Sequence, residues 1–165
     1  MSTAAPTWRV VLYTRALGEK AGLGADMLER LTVGAALHDI GKIEIPSAIL
    51  QKPGKLDPDE FEVMKTHTLL GHERLLRMGE DDPLILDLVR SHQERCDGAG
   101  YPDGLTGDAI PVAARYFSVI DSFDAMTSLR PYRRETGLLA AEHAIEELQA
   151  GIRTRYCPGT VELFV

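Results

Sequence analysis

The stretch MLERLTVGAALHD, residues 27–39, decides how this chain is read. Apolar side chains recur at Met27, Leu28, Leu31, Ala35 and Leu37, near the 3.6-residue period of a helix with one buried face. The run ends on His38 and Asp39, and Lys42 follows in LHDIGKIEIP, residues 37–46. Charged or metal-ligating side chains at the end of a core helix need partners there, because an unpaired buried charge is costly.

Outward from this stretch the chain reads as helix after helix. Trp8, Val11, Leu12, Ala16 and Leu17 predict a helix over Thr7–Lys20, with Trp8 in the core, and a second follows over Ala25–Leu37. Prolines and Gly54 make residues 46–58 a connecting loop. Asp57 as N-cap, Pro58 at the first helical position and Glu60 at the third open a helix that runs to about Met78 and carries His67 and His72. Another runs from Asp81–Pro83 to near His92. Residues 97–111 hold four glycines and two prolines, an irregular loop. Residues 113–130 form a long apolar helix containing Asp121 and Asp124, residues 138–149 the last clear helix, and the tail after Gly151 has room for a short one. No stretch alternates cleanly, and there is no repeat or linker. The expectation is all-α, one compact helical domain over residues 1–165.

Composition narrows the function. The chain has 165 residues, 44% hydrophobic and 26% charged, which suits one soluble domain with a real core. Its net charge of −7, with no basic block, argues against a long nucleic acid partner. A small anion remains open to it, held by a metal ion or a few local cations. Cys96 and Cys157 form no CxxC pair, which argues against a thiolate zinc site. No signal-peptide core and no membrane-length apolar run is present, so the expected location is the cytoplasm.

Five histidines, His38, His67, His72, His92 and His143, are the whole supply, and Asp121 sits inside the apolar FSVIDSFDAM. Taken singly, a histidine here reads better as a hydrogen-bonded helix-surface residue, and Asp121 equally well as a cap or ion pair. Together, a His and Asp set without thiolates suits Fe, Mn or Zn, and a carboxylate bridging two ions suits phosphoryl chemistry.

Two longer segments carry a specific likeness: AALHDIGKIEIPSAILQKPGKLDPDEFEVMKTH, residues 35–67, and SHQERCDGAGYPDGLTGDAIPVAARYFSVIDSFDAMTSLRPYR, residues 91–133. In order and spacing they resemble the HD-GYP domain, the branch of the HD phosphohydrolase superfamily that cleaves cyclic dinucleotides. The likeness extends over essentially the whole chain. It implies a metal-dependent phosphodiesterase that opens cyclic di-GMP to the linear dinucleotide, and on to GMP, in bacterial signalling. It implies one or two Fe or Mn ions on His38, Asp39, His67, His92 and Asp121, with Asp39 as the bridge. It makes Asp39 and Lys42 catalytic, Lys42 by contact with the scissile phosphate. Tyr101 of the GYP motif, Arg130 and Arg133 are then the remaining substrate-binding residues, and a guanidinium fork matches phosphate oxygens.

The chain departs from the pattern in two places. The family's first-helix histidine falls on Pro6, with an acidic position of some members on Ser2, and the second histidine of its HHE stretch is Gln93. One ion would keep His38, Asp39 and Asp121; the other would keep Asp39, His67 and His92, with Gln93 a weak oxygen donor. Two readings therefore stand: the enzyme, or a catalytically degenerate module that binds a cyclic dinucleotide or docks a signalling protein through the GYP loop. His72 and His143 match no ligand position. Cys96 reads as an inert, partly buried thiol. Asp124 supports the site or caps a phosphate-binding arginine; Glu94 and Asp97 orient a ligand or solvate the loop.

Overall fold

The computed structural model describes residues 7–128 and 137–165. Ser2, Pro6, Arg130 and Arg133 lie outside the described residues. The described chain runs α1 Thr7–Lys20, α2 Ala25–Leu37, a 3-10 turn Ile40–Glu44, α3 Ser47–Leu50, α4 Pro58–Lys65, α5 His67–Arg77, α6 Pro83–Ser91, a 3-10 turn Gly107–Ala109, α7 Val112–Thr127, α8 Leu138–Ala150 and α9 Thr160–Phe164. Among the described residues there is no strand, only two isolated bridges, so the all-α expectation holds. No described helix is long and apolar enough to cross a membrane.

α7 is the central element, packing against α1, α6, α8 and α9, while α2 lies on α1 and α6. Ala35, Leu88, Phe117 and Ile120 are fully buried where these helices meet. α2 fits closely because Gly34 faces Leu88; a Cβ there would stand 3.0 Å from the Leu88 side chain. Arg9 of α1 reaches into the same seam, its Nε 2.9 Å from Asp124 Oδ1 of α7. Asp124 thus helps to hold α1 on α7.

Three expectations need correction. Trp8 is 62% exposed, and Leu12 is exposed with it; the buried face of α1 is Val10, Thr14 and Leu17. Thr14 is burial-competent because its hydroxyl donates to the Val10 carbonyl at 2.7 Å, so no polar atom is stranded. The helix expected to run unbroken to Met78 breaks at Thr66. There the amide and the hydroxyl both turn onto the Val63 carbonyl, at 3.1 and 2.6 Å, tightening the last turn of α4. The connecting stretch after Pro46 contains a helical turn, α3, since the Pro46 carbonyl accepts from Ile49 and Leu50. The Asp57 cap forms as read: Asp57 Oδ1 accepts from the Glu60 amide at 2.8 Å and Glu60 Oε2 from the Asp57 amide at 2.9 Å.

Candidate active site

His38, His67 and His92 each sit just past the C-terminal end of a helix, α2, α4 and α6 respectively. The last carbonyls of a helix have no partner within it. Each imidazole takes one: Nδ1 lies 2.7 Å from the Ala35 oxygen, 2.7 Å from the Met64 oxygen and 2.9 Å from the Val89 oxygen. A carbonyl only accepts, so in the neutral rings Nδ1 carries the proton and Nε2 keeps its lone pair. That is the orientation a metal-ligating histidine needs.

The three Nε2 atoms point to Asp39. Its Oδ1 lies 3.5 Å from His67 Nε2 and 3.7 Å from His92 Nε2, and those two nitrogens are 3.3 Å apart. With both Nδ1 atoms donating, this is a meeting of lone pairs, and buried Asp39 Oδ1 accepts no hydrogen bond among the described residues. The ligand atoms of Asp39, His67 and His92 all lie within 4.8 Å of one another. A divalent cation fits this set, since it would satisfy three converging electron-pair donors at once. The other oxygen faces elsewhere: Asp39 Oδ2 accepts from Lys42 Nζ at 2.9 Å and lies 3.2 Å from His38 Nε2. His38 Nε2 is in turn 3.8 Å from Asp121 Oδ1 on α7. Asp39 thus turns one oxygen to His67 and His92 and the other to His38 and Lys42, with Asp121 beyond His38.

Electrostatics follow from this packing. Burial alone would raise the Asp39 carboxyl, but His38, Lys42 and His92 outweigh it and hold the group well below the usual carboxylate range. Burial would lower His38, yet the hydrogen bond and charge of Asp39 leave it above its ordinary value. Burial holds His67 low and, with His38 close by, takes His92 down to about 3, so both rings are neutral near pH 7. Burial also pushes Asp121 up.

Two close approaches bring these elements together. Gly41, in the turn after Asp39, lies directly on the backbone of α5; a Cβ there would stand 1.9 Å from the His67 carbonyl oxygen. Gly100 folds the GYP loop back on itself, where a Cβ would meet the Gln93 carbonyl oxygen at 2.5 Å. Glu94 then clamps that loop. Its buried carboxylate accepts from the Asp103 amide at 2.7 Å and the Leu105 amide at 3.1 Å. Asp97 pairs with Arg95 and accepts from the Ala99 amide, a role within the loop. Tyr101, joined to Pro102 by a cis bond, presents its ring 6.4 Å from the His67 ring, and burial first, then Asp39 and Asp121, pushes its phenol up to about 12.

A cavity of about 560 Å³ opens beside this cluster, lined by His92, Gln93, Tyr101, Ser118, Asp121 and Arg155 among others. The structure thus brings His38, Asp39, Lys42, His67, His92, Tyr101 and Asp121 to one place, with Gln93 at its edge. Sequence reasoning missed the Glu94 clamp and the Gly41 contact. Neither leaves a periodic or spacing signal; only the nearness of Glu94 to His92 hinted at it.

The HD domain family model matches residues 4–159. A cyclic di-GMP phosphodiesterase of Thermotoga maritima is 40% identical over 168 residues, spanning 100% of this chain and 44% of that protein. A 3'3'-cGAMP-specific phosphodiesterase of Vibrio cholerae is 36% identical over 164 residues, spanning 99% of this chain and 31% of that protein. The chain therefore spans less than half the length of these relatives. Among solved structures, an HDG"Y"P protein from Bdellovibrio bacteriovorus superposes with a TM-score of 0.74 at 20% identity, over 94% of this chain and 49% of that one, a likeness of fold. The chain belongs to the HD domain family and, with HDIGK at residues 38–42 and GYPDGL at residues 100–105, is a domain of the HD-GYP type.

Proposed function

We propose that this chain is a single HD-GYP domain over residues 1–165 that hydrolyses cyclic di-GMP to the linear dinucleotide, and on to GMP, in the cytoplasm, using one or two Fe or Mn ions. The observation that carries this reading is the two-sided Asp39 carboxylate, with His67 and His92 at one oxygen and His38 and Lys42 at the other. His67, His92 and Asp39 would hold one ion; His38, Asp121 and Asp39 would hold the other. A divalent ion bound there would supply Lewis acidity, activating water and neutralising charge at phosphorus.

The chain's own groups do the rest. Lys42 Nζ, already on Asp39, is the cation one side chain away from the ligands and is assigned to a non-bridging oxygen of the scissile phosphate. Tyr101 keeps its proton across the physiological range, so it offers a neutral hydroxyl donor to the ligand. Arg130 and Arg133 are assigned to the phosphates on the likeness of RPYR alone. The relatives named for cyclic di-GMP and for cGAMP support a cyclic dinucleotide as the substrate class.

A second reading rests on Gln93, a carboxamide at the cavity edge where the family has an imidazole. It makes the domain a binding module for a cyclic dinucleotide or, through the GYP loop, for a signalling protein. Turnover decides between the two. Protein reconstituted without oxygen with Fe(II) or Mn(II) should release linear dinucleotide, and chelation should stop it. Asp39→Ala should reduce the rate roughly a thousandfold without unfolding the chain. Tight binding with no product over hours favours the module.

A further inference from the structure

Beyond the ligand cluster the cavity carries a second set of groups. Three rings step outward from it: buried His67, half-buried Tyr101 at 6.4 Å from it, and Phe61 at 6.2 Å from Tyr101, 46% exposed. Phe61 and Tyr101 meet edge to face, and Lys65 Nζ sits over both rings, 5.4 Å and 5.8 Å from their centroids. An exposed phenylalanine beside a cation at the mouth of a polar cavity is a surface on which a flat, anion-bearing group can stack. Of the described cations lining the cavity, Lys65 pairs with Glu62 and Arg95 with Asp97. Arg155 lies on the ring of Tyr156 at 5.7 Å and forms no ion pair among the described residues. It is positioned on an aromatic face and free to take a phosphate.

We propose that Phe61, with Tyr101 and Lys65, is a stacking platform for one base of the cyclic dinucleotide, and that Arg155 holds the phosphate that is not being cleaved. The metal ligands then engage one half of the ligand and this outer set the other. The inference rests on the cyclic-dinucleotide reading above. It adds a specificity-determining subsite built from residues 61–65 and the C-terminal segment.

The test uses two probes on Mn(II)-loaded protein by titration calorimetry. One is a hydrolysis-resistant bis-phosphorothioate analogue of cyclic di-GMP, which would span both sets of groups. The other is inorganic phosphate, small enough to occupy the ligand cluster alone. Phe61→Ala and Arg155→Gln should each weaken the analogue roughly tenfold, in the range of one lost base stack or one lost charged contact. Phe61→Trp should restore it, and phosphate should bind each variant within about twofold of the original. Analogue affinity unchanged in Phe61→Ala and Arg155→Gln overturns the subsite, as does Phe61→Trp binding no better than Phe61→Ala. An equal loss for both probes overturns it too, because the damage is then to the whole site. Failure of the functional reading looks different: the unaltered protein takes up phosphate but not the analogue.

Discussion

Gly41 shows how a single missing Cβ builds this site. The turn that carries Asp39 must lie on the backbone of α5 for Asp39 Oδ1 to reach His67 Nε2. A Cβ at Gly41 would stand 1.9 Å from the His67 carbonyl oxygen and 2.5 Å from the Gly71 amide nitrogen, both backbone atoms that cannot rotate away. Gly41→Ala should therefore cost about 3 kcal/mol in urea unfolding and separate Asp39 from His67. Metal content after reconstitution should fall with it; wild-type values of both would contradict the close approach. Glu94 acts at the same scale on the other wall. Its carboxylate serves the amides of Asp103 and Leu105, and removing a buried partner leaves those donors stranded. Glu94→Ala should cost about 2 kcal/mol and raise KM for the dinucleotide as the Tyr101 loop loosens. A KM that does not move would confine Glu94 to stability.

Helix ends do most of the positioning at the next scale, and α6 shows both kinds. Its C-terminal side presents His92; its N-terminal side is capped by Asp82, whose Oδ1 accepts from the Leu84 amide at 3.0 Å. The same carboxylate is held by Arg30 of α2 through two contacts of 2.7 Å, so one residue sets where α6 begins and how it lies on α2. Asp82→Ala should cost about 1 kcal/mol or somewhat more, the worth of a lost cap. The Arg30 hydrogen bonds hold the Asp82 carboxyl below its ordinary value. Its ion pair is therefore fully present above the ordinary carboxylate pKa and is lost as pH falls through the depressed one. The stability gap between Asp82→Ala and the original protein should be constant near neutrality and shrink below about pH 4, read from thermal melts across pH. Asp82→Asn keeps a cap acceptor and should recover part of the neutral-pH loss. A gap that widens in acid would contradict the pairing. Local chemistry of this kind was legible before the fold was known: Asp57, Pro58 and Glu60 announce their helix because the cap closes within four residues. The break at Thr66 and the exposure of Trp8 were not legible. The first is decided by competition for the Val63 carbonyl, the second by which face of α1 meets α2 and α7. In the site, HDIGK and GYPDGL named His38, Asp39, Lys42 and Tyr101, and the wider likeness named His67, His92 and Asp121. The division of Asp39 between two sides was already implied by the likeness; the Glu94 clamp and the cavity beyond Tyr101 needed the elements in place.

At the scale of the molecule, the candidate ligands come from separated parts of the chain: the end of α2, the junction of α4 with α5, the end of α6 and the middle of α7. Ions held by all of them would tie these helices together only in the folded state. Binding to the native state alone stabilises it by RT ln(1 + [M]/Kd), about 2.7 kcal/mol at a hundredfold excess over Kd. For a chain of 165 residues that is a rise of roughly 5–10 °C in melting temperature. Mn(II), added without oxygen, should produce this rise, and a chelator should remove it. The arrangement around Asp39 also sets how the effect divides. If His67 and His92 serve one ion and His38 and Asp121 the other, His92→Ala should bind one equivalent fewer and keep part of the rise. Asp121→Ala should lose the other equivalent and keep the complementary part, while Asp39→Ala should lose both and melt alike with and without metal. Metal analysis beside calorimetry on the same samples reads the division directly. One equivalent in the original protein, abolished by either His92→Ala or Asp121→Ala, would mean a single shared ion and would remove Asp39 as a bridge.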